Sequence, residues 1–124
     1  MHILITGGAG FIGSNLAEYH LSQGHRVHVV DDLSTGVFEN IAPFMDNPDF
    51  HFYHEDILTW EGLATTINWA ERIYHLAAVV GVFKVLEDPV RVMAVNIGAT
   101  ERVLELAHAG SRRPQILLAS TSEV

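Results

Sequence analysis

The tightest constraint on this chain lies in its first fourteen residues. There a short apolar run, Ile3 to Ile5, leads into Thr6-Gly7-Gly8-Ala9-Gly10-Phe11-Ile12-Gly13-Ser14. The run reads as a buried strand. The glycines fit G-x-G-x-x-G through Gly8, Gly10 and Gly13, and G-x-x-G-x-x-G through Gly7, Gly10 and Gly13. Such a loop must turn sharply, bring its backbone close to a ligand and let the next helix settle on the strand. A Cβ obstructs each of these tasks. Ile12, Leu16, Ala17, His20 and Leu21 then recur at helical spacing, and Gly24 is the stop. That helix opens with unbonded N–H groups and a positive dipole end, which suits a diphosphate. Arg26 to Val30 form a second strand ending in Asp31, eighteen residues past Gly13. An acidic residue at about that offset meets the ribose hydroxyls of an adenine dinucleotide. A glycine turn without chemistry is the plainer alternative, but the flanking strand, the helix and the acidic residue favour a dinucleotide site. No Gly-Lys-Ser/Thr follows, which excludes the lysine-bearing mononucleotide loop.

At 124 residues the chain is expected to be one domain with its own apolar core. No uninterrupted apolar run approaches the ~18 residues of a membrane span, and Met1-His2-Ile3 lacks the features of a secretion signal. The absence of cysteine removes disulfides and thiolate chemistry and fits a cytoplasmic protein. A net charge of −8 argues against nucleic acid as a main partner.

Strand and helix alternate along the rest of the chain. Asp32-Leu33-Ser34-Thr35-Gly36 is a polar turn, and Pro43 and Pro48 confine residues 37 to 47 to loop and a short helix. Phe50 to His54 read as a third strand, Trp60 to Trp69 as a helix with Thr59 as a plausible cap, and Arg72 to Leu76 as a fourth strand entering Ala77-Ala78. Asp88-Pro89 opens a helix running to about His108, with Met93, Ile97, Thr100, Leu104 and Ala107 at helical spacing and Gly110 closing it. Gln115 to Ala119 form a fifth strand. This pattern predicts an α/β, doubly wound parallel sheet in the order 3-2-1-4-5. Ligands on such sheets sit beyond the carboxyl ends of the strands, at the switch between the first and fourth. Thr6 to Gly13, Asp31, Asp56, Ala77-Ala78 and Ser120 to Glu123 all fall at such ends.

These residues resemble the extended short-chain dehydrogenase/reductase family, in its sugar-nucleotide epimerase/dehydratase branch. The marks are the glycine loop, Asp31 to Gly36, Asp56-Ile57, His75-Leu76-Ala77-Ala78, Asn96 within Val95 to Thr100, and Ala119-Ser120-Thr121-Ser122-Glu123-Val124. The resemblance implies tightly held NAD, serving as a transient hydride store for a nucleotide-sugar substrate. It puts Gly7, Gly10, Phe11, Ile12 and Gly13 around the diphosphate, with amides from Gly10 to Ile12 holding it. It gives Asp31 the adenosine ribose hydroxyls, flanked by Asp32, Ser34, Thr35 and Gly36, and gives Asp56 and Ile57 the adenine. Leu76, Ala77 and Ala78 would line the middle of the cofactor, and Asn96 would lie beneath the nicotinamide side. Thr121 matches the hydroxyl residue that bonds the reacting sugar oxygen, and Glu123 an acidic residue used in proton transfer. Glu123 inclines the reading towards dehydratases and UDP-glucuronate decarboxylases, but residues 78 to 86 do not resemble the usual decarboxylase sequence. An epimerase/dehydratase-type enzyme stands first and a decarboxylase second.

The family's catalytic tyrosine, with a lysine four residues later, is absent: Tyr19, Tyr53 and Tyr74 are followed at that spacing by Gln23, Ile57 and Ala78. The chain therefore reads as the cofactor half of an enzyme, residues 1–124, truncated before the remaining strands and the substrate domain and inactive alone. A non-catalytic dinucleotide-binding or regulatory module is the alternative of another class. Self-association is expected, through the helix at 89–108 or through an uncovered fifth strand. The eight histidines lack the spacing of a zinc site. His2 and His75 suit structural hydrogen bonds, Asp88 suits a helix cap, and the lone Lys84 suits a solvated loop.

Overall fold

The computed structural model describes residues 1–78 and 86–119. At its centre runs β1 (His2–Thr6), between β2 (Arg26–Asp31) and β4 (Arg72–His75). Outside these lie β3 (Phe50–His54) and β5 (Gln115–Leu118), so the parallel sheet has the order β3-β2-β1-β4-β5 that the alternating pattern predicts. Ile3, Leu4 and Ile5 are wholly inaccessible because both faces of the sheet are covered. Alternate residues point to opposite faces. Ile3, Ile5, Val27 and Val29 pack with Ala17 of α1 (Phe11–Ser22) and with Ile41. Leu4, Val30 and Ile73 pack on the other face against Leu63 and Ile67 of α2 (Leu63–Trp69), and against Val103 and Ala107 of α4 (Ala99–Ala109). No described helix is long and apolar enough to cross a membrane.

Four local expectations need correction. Residues 37 to 47 hold two 3-10 turns, Phe38–Asn40 and Ala42–Phe44, in place of a helix. The helix expected from Trp60 starts at Leu63, with Gly62 and not Thr59 at its cap. Asp56 is the reason. Its side chain accepts from the Leu58 amide and its carbonyl from the amides of Thr59 and Trp60, which spends the donors in a turn. In α1 the buried residues are Gly13, Ser14, Ala17 and His20, whereas Ile12 is exposed. The long fourth-strand crossover is not one regular helix. It consists of α3 (Pro89–Met93), a π turn (Ala94–Gly98) and α4. Asp88 caps α3 as expected, its side chain accepting from the Arg91 amide at 3.0 Å. Beyond the wide turn Ala99, Val103 and Ala107 face the core, while Met93, Ile97 and Leu104 of the expected stripe are exposed.

At the amino end of the sheet the Trp69 ring lies between His2 and His28, stacked at 4.4 and 3.7 Å. The Nδ1 of His28 is buried without a protein partner. Burial, with the nearby His51 adding to it, pushes the pKa of His28 down to about 4. The unfolded chain takes up this proton near pH 6.5, and the folded chain only near pH 4. Stability is therefore full above about pH 6.5 and falls as the pH drops through that window. Urea midpoints measured between pH 7 and pH 4.5 should decline in the wild type. His28→Phe, which keeps the stack and loses the titration, should flatten that decline.

Candidate functional site

Reversal of strand order between β1 and β4 opens a crevice at their carboxyl ends. The crevice is a cleft of about 870 Å³. Every residue from Gly7 to Asn96 that the resemblance implicates in cofactor binding lines it, including Phe11, Ser34, Thr35, Ile57 and Ala78. Thr121 and Glu123, and Lys84, lie outside the described residues.

The glycines serve separate purposes. Gly7 has φ +73°, and a Cβ there would stand 2.8 Å from the Ala77 nitrogen, so the ends of β1 and β4 touch backbone to backbone. A Cβ on Gly13 would meet the Gly7 carbonyl oxygen at 2.6 Å, which sets how closely α1 approaches the loop. Gly10 differs: a Cβ there would meet nothing nearer than the Gly7 carbonyl oxygen at 3.4 Å, and its backbone is extended. Folding makes little demand for glycine at that position, and clearance above the loop is what its small size secures. Just after it, α1 has neither a side-chain cap nor an acidic residue in its first turn. Phe11 and Ile12 thus bring a positive, uncapped helix end to the cleft.

Asp31, only 8% exposed, closes β2 and organises the loop around it. Its two carboxylate oxygens accept from the amides of Ala9 at 2.9 Å and Leu33 at 2.8 Å. Leu33 has φ 62°, a left-handed conformation costing about 1–2 kcal/mol that the bond to Asp31 offsets. Asn40 donates to the Ala9 carbonyl at 2.8 Å, and a Cβ on Gly36 would strike Ala9 at 2.8 Å, so the loop after β2 lies flat on the glycine turn. Each Asp31 oxygen keeps a lone pair for a further donor.

Opposite, Asp56 and Ile57 are held by two arginines. Arg102 donates to the carbonyls of Ile57 and Trp60, and Arg91 pairs with Asp56 at 3.7 Å. Sequence reasoning missed both. Asp32, Glu55, Glu87 and Asp88 make the rim acidic, and Arg91 is the only arginine or lysine among its described residues. His75 and Thr100 also line the cleft. Both stand in motifs that carry the family resemblance, His75 also as a structural residue and Thr100 on a helical stripe, but neither is given a site role by the sequence.

A doubly wound sheet with this loop at its switch point is a Rossmann-like domain of the short-chain dehydrogenase/reductase type. Residues 4–124 match the family model described as GDP-mannose 4,6 dehydratase. The chain belongs to that family, in its nucleotide-sugar epimerase/dehydratase branch. It is 40% identical over 116 residues to a UDP-glucose 4-epimerase of Mycolicibacterium smegmatis, covering 91% of this chain and 37% of that protein. It is 37% identical over 122 residues to UDP-glucuronic acid decarboxylase 1 of Danio rerio, covering 98% and 28%. A crystal structure of dTDP-glucose 4,6-dehydratase from Streptomyces venezuelae, with NAD bound, superposes with a TM-score of 0.81 at 31% identity, covering 90% of this chain and 37% of that one. The chain thus spans 28% to 37% of the length of these relatives.

The separate roles of the glycines can be told apart by stability. Gly7→Ala combines a left-handed backbone with a backbone clash and should cost at least ~2 kcal/mol in urea unfolding. Gly10→Ala should cost less than ~1 kcal/mol.

Proposed function

We propose that the cleft holds NAD, and that residues 1–124 are the NAD-binding domain of a nucleotide-sugar epimerase or dehydratase. The observation that carries the reading is the pairing of an uncapped α1 amino end with a buried, loop-anchored Asp31 across one cleft. A cleft of about 870 Å³ has room for a dinucleotide. In this reading the amides of Gly10, Phe11 and Ile12 hold the diphosphate, and Asp31 accepts from the ribose hydroxyls through its remaining lone pairs. Asp32, Ser34, Thr35 and Gly36 flank that ribose. Asp56 accepts from the adenine amino group, Ile57 packs on the ring, Leu76 to Ala78 line the middle, and Asn96 lies beneath the nicotinamide side. Bound there, NAD would supply a reversible hydride acceptor for a sugar carbon. In the whole enzyme Thr121 would hydrogen-bond the reacting sugar oxygen and Glu123 would serve in proton transfer. The likeness to a UDP-glucuronic acid decarboxylase over 98% of the chain keeps decarboxylation as the second reading.

Asp31 also selects the cofactor. A 2′-phosphate would bring about two negative charges against a buried carboxylate, so NADP is disfavoured. Calorimetric titration should show NAD binding well ahead of NADP. Asp31→Asn removes the charge and sets an NH2 against the Ala9 or Leu33 amide, so it should weaken NAD by ~10-fold or more and narrow the preference. Undetectable NAD binding to the wild-type chain, or an affinity ratio unmoved by the substitution, would refute the assignment.

We further propose that the crossover helix pairs with a second copy of the chain. Leu86, Val90, Met93 and Ile97 are 73%, 76%, 60% and 60% exposed and recur every three or four residues, an apolar stripe on a chain of net charge −8. The edge strand β5, with Leu117 and Leu118 half-exposed, is the competing surface. Sedimentation should show a concentration-dependent dimer. Met93→Glu with Ile97→Glu should dissolve it at unchanged thermal stability, whereas Leu117→Lys should leave it intact.

A further inference from the structure

His75 sits beneath the cleft at the end of β4, and its hydrogen bonds have only one consistent set of directions. Thr6 is fully buried; its hydroxyl oxygen accepts from the Ala77 amide at 3.2 Å and shares the Leu76 amide, 3.1 Å away, with the Thr6 carbonyl at 3.0 Å. A hydroxyl has two lone pairs and one proton. Among the described residues the one acceptor facing that hydroxyl is His75 Nδ1 at 2.7 Å, so the Thr6 proton goes to it. That nitrogen is therefore bare. The ring's single proton lies on Nε2, which faces the Thr100 hydroxyl at 3.0 Å. Thr100 in turn donates to the Asn96 carbonyl at 2.9 Å, inside the π turn. Every donor finds an acceptor in this arrangement. Reversing the Thr6–His75 bond leaves the buried Thr6 proton without an acceptor, at a cost of about 1–3 kcal/mol. Burial lowers the pKa of the ring and keeps it uncharged.

We propose that His75, fixed as its Nε2–H tautomer, is a positioning residue that holds the π turn open and so sets where Asn96 meets the cleft. A π turn leaves the regular i→i−4 ladder, and a threonine hydroxyl bonding back to the carbonyl four residues earlier supplies a bond at that irregularity. Thr100 can give its proton to Asn96 because His75 donates to its oxygen. The same ring anchors Thr6, whose hydroxyl pins the Leu76 and Ala77 amides beside Gly7. One imidazole thus ties the floor of the glycine loop to the helix across the cleft. The bonds exist in the free chain, so the assignment is independent of which ligand the cleft takes.

The test is nitrogen-15 NMR of the 124-residue chain, without ligand. Long-range correlations of the His75 ring at neutral pH should show a protonated Nε2 and a bare Nδ1; a protonated Nδ1 overturns the proposal. Thr100→Val, close in shape, should shift the backbone amide resonances of Asn96 and Ile97 and leave those of Gly10 to Gly13 in place. His75→Gln can still donate from the Nε2 position and should keep the Asn96 and Ile97 resonances near wild type. His75→Asn reaches only the Nδ1 position and should move them as Thr100→Val does. Equal shifts in the glutamine and asparagine variants, or none in Thr100→Val, would mean that the ring merely fills space.

Discussion

The structure depends on two backbones meeting without a side chain between them. Gly7 at the end of β1 touches Leu76 and Ala77 at the end of β4, and there is no room for even a methyl group. The close contact brings the Thr6 hydroxyl within reach of the two amides that follow β4. It also sends the chain upward, so that Gly13 can rest on Gly7 and α1 can start beside the cleft. The apolar core on either side of β1 supplies most of the favourable free energy, but it would serve a different loop equally well. The contact at Gly7 determines which loop can occupy the switch point.

That geometry also accounts for how a chain of net charge −8 can offer a place to an anionic ligand. The rim carries carboxylates from Asp31 to Asp88 and one described arginine, so the wider field repels phosphates. Attraction has to come from close range. It is available at the amino end of α1, where no side-chain cap or first-turn acid competes for the amides. By contrast α3 is capped by Asp88, which closes its end to any ligand. The acidic groups are not idle: Asp31 and Asp56 each fold the loop behind them through backbone amides. Acidic residues that define a cleft by bonding to backbone can at the same time present lone pairs to hydroxyl and amino donors.

Most of this was legible in the sequence, for identifiable reasons. A continuous apolar run marked β1, glycine spacing marked the loop, and Asp88-Pro89 marked a capped helix start. Local chemistry governs those features. What escaped the reading depended on partners remote in the chain. Arg102 bonds to carbonyls more than forty residues away, and nothing beside it announces that role. Thr59 has the right residue type for a cap, yet Asp56 takes the local donors first. His75 and Thr100 are ordinary residues on a strand and a helix until their bonds to Thr6 and Asn96 are traced.

The π turn shows why the crossover could not be read as one regular helix. This segment has three neighbours: the core, the cleft and an exposed apolar side. A single α-helical stripe would keep Met93, Ile97, Thr100, Leu104 and Ala107 on one face. In the fold they part, Ala107 going to the core and Thr100 to His75 after the π turn, Met93 before it and Ile97 within it outward. One wider turn shifts the register by a residue, about 100° of rotation, and lets the halves of the helix face different neighbours. Such a turn costs a regular hydrogen bond, and an isolated helix would anneal it away. It persists where a neighbour rewards the altered register, and the His75–Thr100 bond lies at that irregularity. A polar contact buried under the cleft is thus coupled to which apolar residues the far side of the helix presents.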